Sequence, residues 1–264
     1  MRKSIAVYAL MLAALINSPA MANTNYFFEG IYSGGQGNVT VDDTEVDFDQ
    51  ATVDLTINFG SVNTANIPHS EAAFLNRSSF FSFRQTRLGS DNTEDQTTNQ
   101  ASARYVLRSG LFLAAVGSVD ADNDEDNTYE VQIGQYTSDH TAVFAGYIVD
   151  EADGADVFTA GIRHTSPYRS ELSWIAYDFG GRYLIEGDDN EFAVNFGMAY
   201  YPSFRSTLGF LYEYADGRLT DSHETNVFGE YFFSKYISTR VDATLLRLAD
   251  IEEQSAALSL RLRF

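Results

Sequence analysis

Apolar and polar positions alternate with a period of two along most of this chain. The closing residues show it best, where Leu258, Leu260, Leu262 and Phe264 interleave with Ser259, Arg261 and Arg263. Val53, Leu55, Ile57 and Phe59 stand in the same way against Thr52, Asp54, Thr56 and Asn58. Phe192, Val194, Phe196, Met198 and Tyr200 alternate with Asn195 and small residues, and Leu208, Phe210, Tyr212 and Tyr214 lie opposite Arg205, Thr207 and Glu213. Successive side chains of a strand project to opposite faces, so each segment reads as a strand with one greasy and one polar side. The pattern predicts about 14 antiparallel strands, within a range of roughly 12 to 16. They fall near 24–34, 47–61, 74–88, 98–109, 111–119, 128–137, 141–149, 157–165, 169–178, 190–201, 204–215, 225–234, 236–248 and 253–264.

A soluble sandwich has the same period, and the connections separate the two. One set is long and acidic, with Asp42, Asp43 and Glu45, then Asp91, Glu94 and Asp95, then Asp120 to Asp126, and so on to Asp250, Glu252 and Glu253. The alternate set is short, as at Arg108 to Gly110, Thr137 to Thr141, Ser166 to Arg169, Pro202 and Ser203, and Ser234 and Lys235. Long loops on one side and tight turns on the other predict a transmembrane up-and-down β-barrel, its even strand count putting both ends on the periplasmic side. Asn63 to Asn76 breaks the rule as a longer connection on the turn side, read as a short helix or a plug-like excursion. Phe179 to Ile185 fits either loop or strand extension. Aromatic residues gather near both predicted ends, with Tyr26, Phe28, Phe59, Tyr200, Phe233 and Phe264 at one and Tyr32, Phe158, Phe192, Tyr212 and Tyr214 at the other, as interfacial girdles do.

The N-terminus sharpens this picture. Arg2 and Lys3 precede an apolar stretch from Ile5 to Ile16 that ends in Pro19 and Ala20-Met21-Ala22. That is the layout of a secretory signal peptide over residues 1–22, cleaved after Ala22, and it leaves 23–264 as the barrel. Its loss leaves 15 basic against 37 acidic residues and moves the formal charge from -20 to -22. A nucleic-acid partner needs a basic surface and is not expected. With no cysteine there are no disulfides, thiolate metal sites or Cys nucleophiles. No cofactor and no metal is expected.

Ile67-Pro68-His69-Ser70-Glu71-Ala72-Ala73-Phe74-Leu75-Asn76-Arg77-Ser78, with the closing alternation to Phe264, resembles the general bacterial porin family of Gram-negative outer membranes. The terminal Phe is common to many barrels, which use it as an assembly signal. The resemblance implies an outer-membrane pore for small hydrophilic solutes. It supplies no catalytic motif.

Alternation sends fifteen charged residues to the inner face: Arg84, Arg104, Arg163, Arg169, Arg205, Arg240, Arg261 and Arg263, with Glu29, Asp54, Glu130, Glu171, Glu213, Glu230 and Asp242. Unpaired charge in a dry core is very costly, so these residues suit a wet or ion-paired lumen and are the pore-lining candidates. The expectation is passive diffusion of small hydrophilic solutes and ions, with a weak cation preference from the acidic mouth. Closed barrels serving structure or adhesion share the same pattern. A hydrolase at the barrel rim is the other class, and of His69, His140, His164 and His223 only His223, beside Asp221 and Glu224, falls outside. Asp120-Ala121-Asp122-Asn123-Asp124 invites a calcium reading, but the glycine and closing glutamate of an EF-hand loop are missing. Expected partners are outer-membrane lipid and lipopolysaccharide, the barrel-assembly machinery and, by analogy with porins, a homotrimer.

Overall fold

A computed structural model of the chain describes residues 25–41, 44–90, 93–121, 127–150, 156–186, 189–216, 221–249 and 251–264. The signal peptide read at 1–22 lies outside them, as do Asp42, Asp43, Asp91 and Asp122 to Asp126. Fourteen strands occur: β1 (Asn25–Val41), β2 (Thr44–Asn63), β3 (Phe80–Ser90), β4 (Thr93–Val106), β5 (Leu111–Asp120), β6 (Thr128–Ser138) and β7 (Thr141–Asp150). They continue as β8 (Asp156–Tyr168), β9 (Ser170–Glu186), β10 (Asp189–Ser203), β11 (Ser206–Asp216), β12 (Ser222–Ser234), β13 (Ile237–Leu248) and β14 (Ile251–Arg263). Each pairs antiparallel with its sequence neighbours, and β1 closes the ring on β14 from Glu29↔Arg263 to Val41↔Ile251. Closure leaves no unpaired sheet edge. Among the described residues no helix is long and apolar enough to cross a membrane.

The barrel is inside-out. Large apolar side chains stand exposed on its outer surface, among them Phe59 at 65%, Leu172 at 63% and Leu208 at 61%. Inner positions carry small, polar and charged residues. Several inward phenylalanines lie against a glycine across the strand pair. A Cβ on Gly134 would meet the Phe112 ring at 2.1 Å, and Gly209 under Phe228 and Gly161 under Phe144 repeat the arrangement.

The structure corrects the sequence reading in three places and decides one open alternative. Described residues at the margins of the acidic connections are strand: β1 runs on to Val41 and β2 resumes at Thr44, so Glu45 belongs to a ladder, as do Asp95, Glu252 and Glu253, while Asp250 lies outside the described residues. Phe179 to Ile185, read as either loop or strand extension, is strand within β9. The third strand begins at Phe80 and not near 74, because Ala72–Leu75 is a helical turn, α1, preceded by a 3-10 turn at His69–Glu71. Tyr26 does not join the girdle at the periplasmic end. The β1–β2 register shifts between Tyr26 and Phe28, and Tyr26 turns inward to 2% exposure.

Candidate functional site

Residues 64–79, between β2 and β3, fold into the end of the barrel that holds the described chain ends. The chain enters and leaves this excursion through left-handed residues, Asn66 at φ 59° and Arg77 at φ 51°. Asn76 ties its base: its Nδ2 donates to the carbonyls of Asn63 and Ala72, both at 2.7 Å, and its Oδ1 accepts from the Asn63 amide at 3.2 Å. Apolar contacts radiate from there in several directions. Phe74 packs with Phe112, Tyr136 and Ala142, while Ile67 and Leu75 lie against Trp174, Ala176, Ala199 and Tyr201. Ala72, fully buried, meets Tyr26 and Val62. One short segment therefore touches walls on opposite sides of the ring, as a plug does.

The polar centre of the plug is Glu71, 5% exposed. Its carboxylate accepts Arg163 Nη2 at 2.7 and 2.9 Å, the Tyr201 hydroxyl at 2.6 Å and the Thr165 hydroxyl at 3.3 Å. Burial alone would raise this carboxyl, but the Arg163 charge and those hydrogen bonds prevail and hold it below the ordinary carboxylate value. Arg163 also stacks over the Phe74 ring at 4.9 Å, so one arginine of β8 grips the plug by a charge and by a ring. Beside Glu71, the His69 carbonyl accepts Arg263 Nη1 at 2.8 Å, its amide donates to the Phe204 carbonyl at 2.9 Å, and its ring meets Phe232 edge-on. Burial, reinforced by the charges of Arg263, Arg205 and Lys235, lowers the His69 imidazole to about 4, so it is neutral when seated. Ser70 Oγ lies 3.1 Å from Thr207 Oγ1 of β11.

Above the plug, the wall formed by β12, β13, β14, β1, β2 and β3 encloses a cavity of 440 Å³. Its charges are matched locally. Arg84 donates Nε and Nη2 to Asp54 at 3.0 and 2.8 Å, and Arg240 holds Asp242 through Nε and Nη2. Arg261 lies between Glu29, at 3.5 Å, and Glu230, at 3.1 Å. Arg263 pairs with Glu29 and covers the Tyr26 ring at 4.4 Å.

Elsewhere on the inner face Arg104 stacks on Phe80 and Phe112, Glu130 accepts Gln132 Nε2 at 2.6 Å, and Glu213 pairs with Arg182 at 2.9 Å. Three sequence candidates do not line the lumen. Arg169 is the exposed apex of the β8–β9 turn, with φ 59°, and covers Tyr168. Arg205 is exposed in the β10–β11 turn. Glu171 falls in a bulge, because Tyr168 pairs with Ser170 while Pro167 pairs with Trp174, which leaves residues 171–173 without cross-strand partners. Residues the alternation passed over are Glu71, Tyr201, Thr165, Asp178 and Arg182. Phe264 sits on the closing seam, its amide donating to the Phe28 carbonyl at 2.9 Å and its ring 5.6 Å from that of Phe28.

Among the described residues the histidines are engaged in ways that do not assemble a charge-relay group. His223 Nδ1 lies 2.8 Å from the Tyr212 hydroxyl, His164 Nδ1 2.8 Å from Thr141 Oγ1, and His140 meets Trp174 edge-on. Among the described residues no cluster of three or more His, Asp or Glu is placed to hold a metal.

This architecture is similar to that of solved outer-membrane proteins. The Acinetobacter baumannii outer membrane protein Omp33 superposes with a TM-score of 0.68 at 19% identity, over 92% of this chain and all of that one. A bacterial polysaccharide outer membrane secretin gives 0.50 at 8% identity, over 90% of this chain and 99% of the other. No protein-family model and no curated protein matches the chain, so the likeness is one of fold.

Proposed function

We propose that this protein is an outer-membrane channel for passive diffusion of small hydrophilic solutes, held shut at its periplasmic end by residues 64–79. The observation that carries the reading is Glu71, a buried carboxylate at the centre of the segment, gripped by Arg163, Thr165 and Tyr201 of the wall. Such a contact is strong while made and reversible when broken, because both partners recover water on separation. The other supports are the exposed apolar exterior, which suits lipid, and a fourteen-strand ring, wide enough for a polar lumen once the plug withdraws. Export through a cleaved signal peptide and assembly through the terminal Phe264 belong to the same proposal. So do a lipopolysaccharide-facing acidic mouth, a weak cation preference and a homotrimer.

The density of plug contacts favours one rival, a permanently closed structural or adhesive barrel. Planar-bilayer recordings of the refolded protein carrying Ser70→Cys and Thr207→Cys separate the two, since the native chain has no cysteine. The channel reading expects ohmic openings under reductant that vanish on oxidation. Silence in both states from a heat-modifiable, folded barrel would leave the closed reading standing.

A further inference from the structure

We propose that the 440 Å³ lumen cavity is a binding subsite for a neutral, polyhydroxylated solute of sugar or polyol type, a selection that rests on the channel reading above. The charged lining residues are Arg84, Arg240 and Arg261 against Asp54, Asp242 and Glu230, a formal sum of zero. Each charge is answered on the same patch of wall: Arg84 meets Asp54 at 2.8 Å and Arg240 meets Asp242 at 2.6 Å. No excess charge is left to attract an ion. An anion or cation entering the cavity would shed water and receive no net Coulomb return.

Hydrogen-bonding capacity, by contrast, is left over in both senses. Arg84 and Arg240 each spend Nε and Nη2 on a carboxylate, and among the described residues the Nη1 donors have no protein partner. Ser33 and Ser259 bond to each other at 2.6 Å, and Thr52 meets Thr86 at 3.2 Å. Each of these hydroxyls keeps acceptor capacity. A dense array of donors and acceptors without net charge complements a solute that carries many hydroxyls and no charge. The volume falls within the roughly 300 to 1,000 Å³ common for small-molecule sites.

Saturation-transfer NMR and calorimetry on the refolded full chain in detergent, with sucrose as probe and gluconate and lysine as charged counterparts, test the assignment. Sucrose should bind saturably with a dissociation constant on the order of millimolar, and the charged probes should not saturate. Two charge-neutral double variants, Arg240→Ala with Asp242→Ala and Arg84→Met with Asp54→Asn, should each weaken sucrose binding by about tenfold. Heat modifiability reports that each variant is folded. Tighter binding of gluconate or lysine, absence of saturable sucrose binding, or unchanged binding in both folded variants would overturn the subsite. Binding does not require conduction, so sucrose binding by a silent barrel would sink the channel reading alone, and conduction without sucrose binding would sink the subsite alone.

Discussion

Replacing Glu71 by glutamine removes the charge on which the plug turns and keeps nearly the same volume. The wild-type carboxylate receives two contacts from Arg163 Nη2, at 2.7 and 2.9 Å, and hydroxyl bonds from Tyr201 and Thr165. Glutamine retains one acceptor oxygen and turns the other position into a donor, which faces either a guanidinium or a hydroxyl. Breaking a buried ion pair by removing one partner costs about 3 to 5 kcal/mol. Here the lower end applies, because Arg163 keeps Asp178 at 3.7 Å and is itself about one-third exposed. A loss of about 3 kcal/mol raises the ratio of withdrawn to seated plug about 100-fold. Single-channel recording reads this directly as shorter closed times at unchanged open-channel conductance. Adding the oxidised Ser70→Cys/Thr207→Cys link to Glu71→Gln should restore closure and prove that the effect passes through the plug. Closed times indistinguishable from wild type, in a variant that remains heat-modifiable, would refute the latch.

Acid should also open the channel. Seated His69 titrates near 4 against about 6.5 when free, so below pH 6.5 the withdrawn plug binds more protons and seating weakens. Between pH 7 and 5 this amounts to about 2 kcal/mol, and Glu71, lowered when seated, adds to it below its free value near 4.5. Open probability should rise from pH 7 to 5 and lose most of that rise in His69→Gln; a fall on acidification would contradict the assignment. Phe264→Ala keeps the backbone bonds at the seam and loses the ring contact with Phe28, about 1 kcal/mol in the refolded barrel. Its yield in cell outer membranes should drop far more than its melting temperature, and equal yields would argue against an assembly role. Gly134→Ala, which drives a methyl into the Phe112 ring, should destabilise the folded state by about 1 to 3 kcal/mol in urea titrations, and a neutral result would show that the ring has a second seat. Reversal potentials in a salt gradient should indicate weak cation preference, whereas clear anion preference would remove the acidic mouth from the account.

Strand number was legible because the middle of every strand has one apolar and one polar side, and alternation records that asymmetry. Strand length was not. Gly35, Gln36, Asn38 and Thr44 continue the β1–β2 ladder past the outward apolar run, so hydrogen bonding persists after that hydropathy signal ends. Arg182 is hidden by Gly181, which interrupts the apolar face of β9, and by Gly180 beside it on the inner face, and Glu171 is misplaced by a bulge that alternation cannot register. The plug announced itself as a connection too long for its side. Its latch stayed invisible because Glu71 and Arg163 lie 92 residues apart and meet only when the ring closes.

The phenylalanines laid on glycines govern how much bore a given ring of strands provides. A ring standing upright would extend into the lumen by its full length, whereas one lying on Gly134 or Gly209 adds only its thickness. Arg240, stacked 3.9 Å over Phe228, inherits the same low profile and spreads its charge along the wall. Each such glycine is thus a single-codon aperture control: any side chain there tips its phenylalanine inward and, at Phe228, lifts a guanidinium into the path. Calibre in this barrel can change without adding or removing a strand.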